Sequence, residues 1–140
     1  MITAEIDKFL KTSPRNRVII SKTSLPGLKY VDIGKTMAEA LFSENGNRRI
    51  SLYAQETLES LLDKAIIRHE HIGNVLAITN LGILFEPALK IDFNFILENY
   101  SKNNTLIIQW AGEFDQHHLY FLSKENGITL IIDNLSHIII

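Results

Sequence analysis

The sequence predicts an α/β domain of three layers built on a mostly parallel sheet. Three observations carry that prediction. Asn74–Asn80 and Thr105–Trp110 are apolar on both faces, the pattern of strands buried between two helical layers. Between them, Phe93, Ile96, Leu97 and Tyr100 fall at i, i+3, i+4 and i+7, an apolar helical face. Strands that alternate with helices in this way imply parallel pairing through crossover helices.

The remaining elements follow in order. Ile2–Lys11 is read as a helix, with Ile2, Ile6, Phe9 and Leu10 on one face and Pro14 beyond its end. Arg17–Ser21 is a first buried strand, and a loop with Pro26 and Gly27 leads to a second, Leu28–Ile33. Thr36–Phe42 is helical, with Met37, Ala38 and Leu41 inward, and Asn45-Gly46-Asn47 is a turn. Gln55–Ile67 is a helix whose stripe is Leu58, Leu61, Leu62, Ala65 and Ile66, and Gly73 breaks the chain before the strand at Asn74. Gly82–Pro87 is a loop or short turn, and Asp92 is placed to cap the next helix. Leu119–Leu122 and Ile128–Ile132 are strands joined through Asn126-Gly127, expected to add antiparallel pairing at one edge. The tail Ile128–Ile140 is β-prone and carries a single charge, Asp133, so it must be covered within the domain or by a partner.

Size and composition restrict the function. The 140 residues fit one domain, 46% of them apolar and 21% charged, which excludes a disordered tail. A net charge of −2 gives no global attraction to nucleic acid or anionic membrane. With no cysteine there is no disulfide or thiolate site, and a reducing, cytoplasmic setting is expected. No apolar run has the length of a membrane span, and Met1 opens no signal peptide.

The layout from Asn74 to Gly112 is that of the second half of a P-loop NTPase core. Such a core needs an acid at the end of its first strand to hold Mg²⁺. Here the strand ends in Thr79 and Asn80, and the nearest acid is Glu86. Gly34-Lys35-Thr36 has the ending of a phosphate-binding loop and lies between a strand and a helix. The first glycine of that motif would stand at position 29, which is Lys29, and Gly27 comes two residues too early. A helix N-terminus with Gly34 at the turn describes the segment better. His69 and His71 flank Glu70, and His117 and His118 follow Asp115, but no helical zinc-binding spacing links them. Trp110, Phe114, Tyr120 and Phe121 read as core rather than as base-stacking platforms, since no basic groove accompanies them.

The run Ile78-Thr79-Asn80-Leu81-Gly82-Ile83-Leu84-Phe85-Glu86-Pro87-Ala88-Leu89-Lys90 resembles the Walker B region of the BrxF family, small P-loop proteins of type 3 BREX (bacteriophage exclusion) operons. Asp92, Leu97, Ser101, Asn103, Thr105, Trp110, Gly112 and Tyr120 follow that family's pattern in order. The resemblance covers roughly residues 15–121 and is tightest from Ile78 to Trp110. It places the family's Walker B Asp on Thr79 and its nearby Glu on Gly82, and its phosphate loop is missing between Ser21 and Lys29. It therefore implies a truncated, degenerate P-loop (RecA-like) fold and a defence-system setting, with no catalytic residue and no cofactor. The expected role is a non-catalytic adaptor that docks on a larger subunit of the same operon. Phe85, Glu86, Pro87 and Lys90, with the tail residues Ile138, Ile139 and Ile140, are the expected contact surface, and the tail also allows a homo-oligomer. Two alternatives stand beside it: a nucleotide hydrolase with a non-standard site at Asp32, Lys35 and Thr36, and a nucleic-acid accessory that uses Lys11, Arg15, Arg17, Arg48 and Arg49.

Overall fold

A computed structural model of the chain describes residues 4–42, 49–121 and 127–140. The expected turn at Asn45-Gly46-Asn47 lies outside the described residues. The elements are α1 (Ala4–Lys11), β1 (Val18–Ser21), β2 (Val31–Asp32), α2 (Ile33–Phe42), α3 (Ile50–Ala65), β3 (Ile67–His69), β4 (Gly73–Thr79), α4 (Phe93–Asn103), β5 (Thr105–Gln109), β6 (His118–Phe121), β7 (Ile128–Ile131) and β8 (His137–Ile139). Two short 3-10 turns, Gly82–Phe85 and Pro87–Leu89, connect β4 to α4.

Six strands form one sheet in the order β2-β4-β5-β1-β8, with β3 also on β4. Every pairing is parallel except β3–β4. The register explains the two-sided apolar runs. Val18, Ile20, Leu76, Ile78, Leu106 and Ile108 turn toward the core under α2, α3 and α4. Ile19, Val75, Ala77 and Ile107 face the opposite way, onto Ile6 of α1 and the flanking Phe9 and Leu10. The chain is thus an α/β domain with helices on both faces of a mostly parallel sheet, as its strands and helical stripes predict.

The helical stripes are buried as spaced: Leu58 and Leu62 on α3, and Phe93, Ile96, Leu97 and Tyr100 on α4. Asp92 caps α4 by accepting the Phe95 amide at 3.1 Å. At the far end the Asn104 carboxamide donates to the Tyr100 carbonyl at 2.9 Å. Tyr100 also ties α4 to α3, donating its hydroxyl to Asp63 at 2.7 Å. Burial, with Asp63 beside it, raises the phenol well above its ordinary range.

Three expectations are corrected. The strand expected at Leu28–Ile33 shortens to Val31–Asp32, because Leu28 and Tyr30 pack down on the α1 face and Ile33 already opens α2. The helix expected at Gln55–Ile67 begins at Ile50 and ends at Ala65. Ile66 is extended there, and Ile67–His69 turns back on β4 as an antiparallel strand, with Gly73 at φ +77° completing the reversal. The antiparallel edge expected from the C-terminal part is replaced by two separate features. β6 and β7 form a hairpin outside the main sheet, and β8 joins β1 in parallel. No described helix is long and apolar enough to cross a membrane.

Candidate functional site

The candidate site lies where the strand connections diverge. From β1 the chain crosses the α1 face through Leu25, Leu28 and Tyr30 to reach β2. From β5 it passes over the opposite face, through the hairpin residues Leu119 and Leu130, to reach β8 beyond β1. In open α/β sheets, ligands bind outside the carboxyl ends of strands at such a point. Here that edge carries Thr79 and Asn80 after β4, Gln109 and Trp110 after β5, and Ser21 after β1.

A cleft of about 410 Å³ opens beside β4 and β5 at this edge. Thr79, Asn80, Gly82, Gln109, Trp110 and Phe121 are among its lining residues, and among the described residues none of the lining is charged. The two positions where the resemblance calls for acids, Thr79 and Gly82, both line it. At Gly82 the space for a side chain is taken: a Cβ there would stand 2.7 Å from Cε1 of Phe121. That ring stacks on Phe85 with centroids 5.0 Å apart, and Phe85 makes edge-on contacts with Phe93 and Trp110. The Trp110 indole donates to the Glu113 carbonyl at 3.0 Å. Among the described residues the cleft therefore has an aromatic wall and a neutral polar rim, with no carboxylate to hold a divalent cation and no lysine or arginine to meet a phosphate.

The second candidate, at Asp32, Lys35 and Thr36, is an occupied helix N-terminus. Asp32 Oδ1 accepts the Lys35 amide at 2.8 Å and the Asn80 carboxamide at 2.8 Å. The Gly34 amide donates to the Asn80 carbonyl, also at 2.8 Å. Two of the amides that could cradle a phosphate are thus engaged within the chain, one of them by a carboxylate. These hydrogen bonds, the Lys35 amide foremost, hold the Asp32 carboxyl below its ordinary range. Asp32 and Thr36 border a cavity of about 370 Å³ with Lys29 and Lys64, which Lys35 does not line.

Of the expected contact residues, Glu86, Pro87 and Lys90 are exposed on the 3-10 turns, whereas Phe85 is half-buried in the aromatic cluster. Ile138, Ile139 and Ile140 are half-buried along β8. In the basic set, Lys11 pairs with Asp7 at 3.0 Å and Arg15 with Glu98 at 3.2 Å, while Arg48 lies outside the described residues. His117 and His118 bond separate carboxylates, Asp133 at 2.6 Å and Asp115 at 3.1 Å. Among the described residues no group of three or more His, Asp or Glu is placed to hold a metal ion.

Sequence reasoning missed Asn80, whose importance lies in contacts with residues 46 and 48 positions away. The one local signal was its residue type, since asparagine tolerates the left-handed region that it adopts here, at φ +59°. It also missed Asn16, buried at the start of β1 and donating to Ser101 Oγ at 3.0 Å. No protein-family model matches the chain, and neither does any curated protein or solved structure.

Proposed function

We propose that the protein is a non-catalytic adaptor, a degenerate P-loop-like scaffold that serves as an accessory subunit of a bacterial anti-phage defence complex. It docks on a larger protein of the same operon. One observation carries the loss of hydrolysis. Among the described residues the cleft at the carboxyl edge of β4 and β5 has no charged lining, and a phenyl ring fills the space at the position of the second expected acid. Phosphoryl transfer depends on a metal held by carboxylate and on cations around the phosphates, and this lining offers neither.

The scaffold half of the proposal is supported only at the level of fold class, by the mostly parallel sheet with helices on both faces. The docking half rests on the exposed Glu86, Pro87 and Lys90, which the two 3-10 turns hold in a fixed loop above the core through buried Leu84 and Leu89. The defence setting rests on the sequence resemblance alone.

Isothermal titration with Mg-ATP tests the first half: no heat of binding is expected, and a micromolar affinity would overturn it. A pull-down of the tagged chain with its operon neighbours tests the second. Recovery of a larger subunit, lost in a Glu86→Lys, Lys90→Glu variant, is expected. A chain that captures no neighbour would overturn the adaptor role.

A further inference from the structure

The outer edge of β8 is a self-complementary strand edge, and we infer that it pairs with β8 of a second copy of the chain in a two-fold dimer. The inference rests on the tail being a contact surface and not on the loss of nucleotide binding.

The hydrogen-bond register shows what the edge presents. Val18 donates to Ser136 O at 3.3 Å, and Ile140 donates to Ile20 O at 2.9 Å. Residues 136, 138 and 140 thus turn their backbone polar groups toward β1. Strand groups alternate in direction, so the N–H and C=O of His137 and Ile139 point outward. Among the described residues no strand pairs with that side.

The edge is also unguarded. Proteins usually protect edge strands with charge, proline, a bulge or extreme shortness. The opposite edge of this sheet follows that practice: β2 has two residues and β3 carries Arg68. β8 is His-Ile-Ile, with a further isoleucine after it and neither charge nor proline. An open isoleucine edge of this kind selects a partner that supplies a strand.

Two features favour a second copy as that partner. The first is register. In an antiparallel pair centred on Ile138, His137 faces Ile139 of the partner copy and Ile139 faces its His137. Both are outward-pointing residues, so all four outward N–H groups of the two edges meet carbonyls, and the two Ile138 side chains meet on the axis.

The second feature is charge. A cavity of about 610 Å³ runs along this edge, lined by Ile138 and Ile139, which belong to opposite faces of the sheet, and by Glu5, Lys8 and Phe9 of α1. Glu5 and Lys8 are both exposed. A surface with one acid and one base on the same helix can satisfy both against its own copy about a two-fold axis, whereas a surface of one sign repels itself.

Sedimentation velocity on the full chain tests this. A dilution series should show a species of twice the 16.0 kDa chain mass that dissociates on dilution. Ile139→Pro removes an outward N–H and leaves the bonds to β1, while it also trims a half-buried side chain that packs on the core. It should weaken the dimer by roughly tenfold or more, one hydrogen bond being lost per copy, with the circular dichroism unchanged. Glu5→Lys and Lys8→Glu lie at exposed helix positions and read the interface independently of β8. Each alone should weaken self-association, and an equimolar mixture of the two should form a heterodimer. A chain that stays monomeric at all concentrations would overturn the inference. So would a dimer indifferent to Ile139→Pro, or a mixture no tighter than either variant alone. Mg-ATP titration and operon pull-down read the adaptor proposal separately, so each idea can fail without the other.

Discussion

The ring of Phe121 lies against the α-carbon of Gly82, leaving 2.7 Å for any Cβ at that position. The two residues come from a strand and a 3-10 turn that both line the cleft, and the contact closes the position where the sequence resemblance calls for an acid. Gly82→Glu should therefore not create a metal site. It should push the Phe121 ring off Phe85 and cost about 1–3 kcal/mol, the usual penalty of overpacking. Urea denaturation would measure the loss, and Mg-ATP titration of the same variant should stay flat. Retained stability together with Mg-ATP binding would show that the ring gives way easily and that the site is latent.

Asp32, Gly34 and Asn80 form a second closed contact. The Gly34 α-carbon sits beneath Asn80, with 2.4 Å to Nδ2 and 3.0 Å to the backbone oxygen for an added Cβ. The Asn80 carboxamide is the group that would have to move, and its bond to Asp32 holds it in place, so Gly34→Ala should destabilise by about 1–3 kcal/mol. Asp32→Ala removes the cap of α2 and should cost about 0.5–2 kcal/mol at neutral pH. The sign of its pH dependence follows from the depressed carboxyl. The contribution is present above the unfolded-state value, near 3.9, and is lost as pH falls through the lower folded-state value. Wild type and Asp32→Ala should thus converge in stability in strong acid, which urea midpoints at neutral and acid pH would show.

These two contacts also mark how far the sequence could be read. The strands at β1, β4 and β5 were legible because burial on both faces leaves unbroken runs such as Val75 to Ile78. α4 was legible because Asp92 and the Phe93–Tyr100 stripe agree. β3 was not: Ile66 and Ile67 continue the α3 stripe, and only the positive φ at Gly73 sends the chain back on β4. The parallel course of β8 depends on where the chain re-enters the sheet, and no local pattern records that. Likewise the sequence resemblance sets acids at Thr79 and Gly82, but the ring of Phe121 that fills the space at Gly82 is a matter of tertiary packing.

The hairpin should respond to pH through two contacts of opposite sign, the half-buried Asp115–Tyr120 and the exposed His117–Asp133. Asp115 accepts the Tyr120 hydroxyl at 2.6 Å and the amides of His117 and His118 at 2.8 Å, which hold its carboxyl far below the ordinary range. That contribution is present above about pH 3.9 and fades as pH falls through the depressed value. His117 is raised by its bond to Asp133, so its contribution is full below about pH 6.5 and is lost as pH rises through the raised value. Asp115→Asn should therefore differ most from wild type at neutral pH and little in strong acid. Asp133→Asn should differ most in mild acid and little in alkali. Urea midpoints across pH for the three proteins would check both, and parallel curves would remove the assignment.

Thr105 opens β5 and is fully buried, yet its hydroxyl oxygen has no hydrogen-bond partner among the described residues. Its backbone is in the ladder beside Val75, so the residue is held in place by the sheet and not by its side chain. A buried hydroxyl without a partner costs about 1–3 kcal/mol relative to a satisfied one. Valine has nearly the same shape and the same preference for strands, and it brings no polar atom. Thr105→Val should therefore stabilise the domain by about 1 kcal/mol, against the general tendency of core substitutions to destabilise. Thermal and urea unfolding would measure the gain. A loss of stability in Thr105→Val would show that the hydroxyl is satisfied in solution, by a buried water bridging the start of β5 to its neighbours.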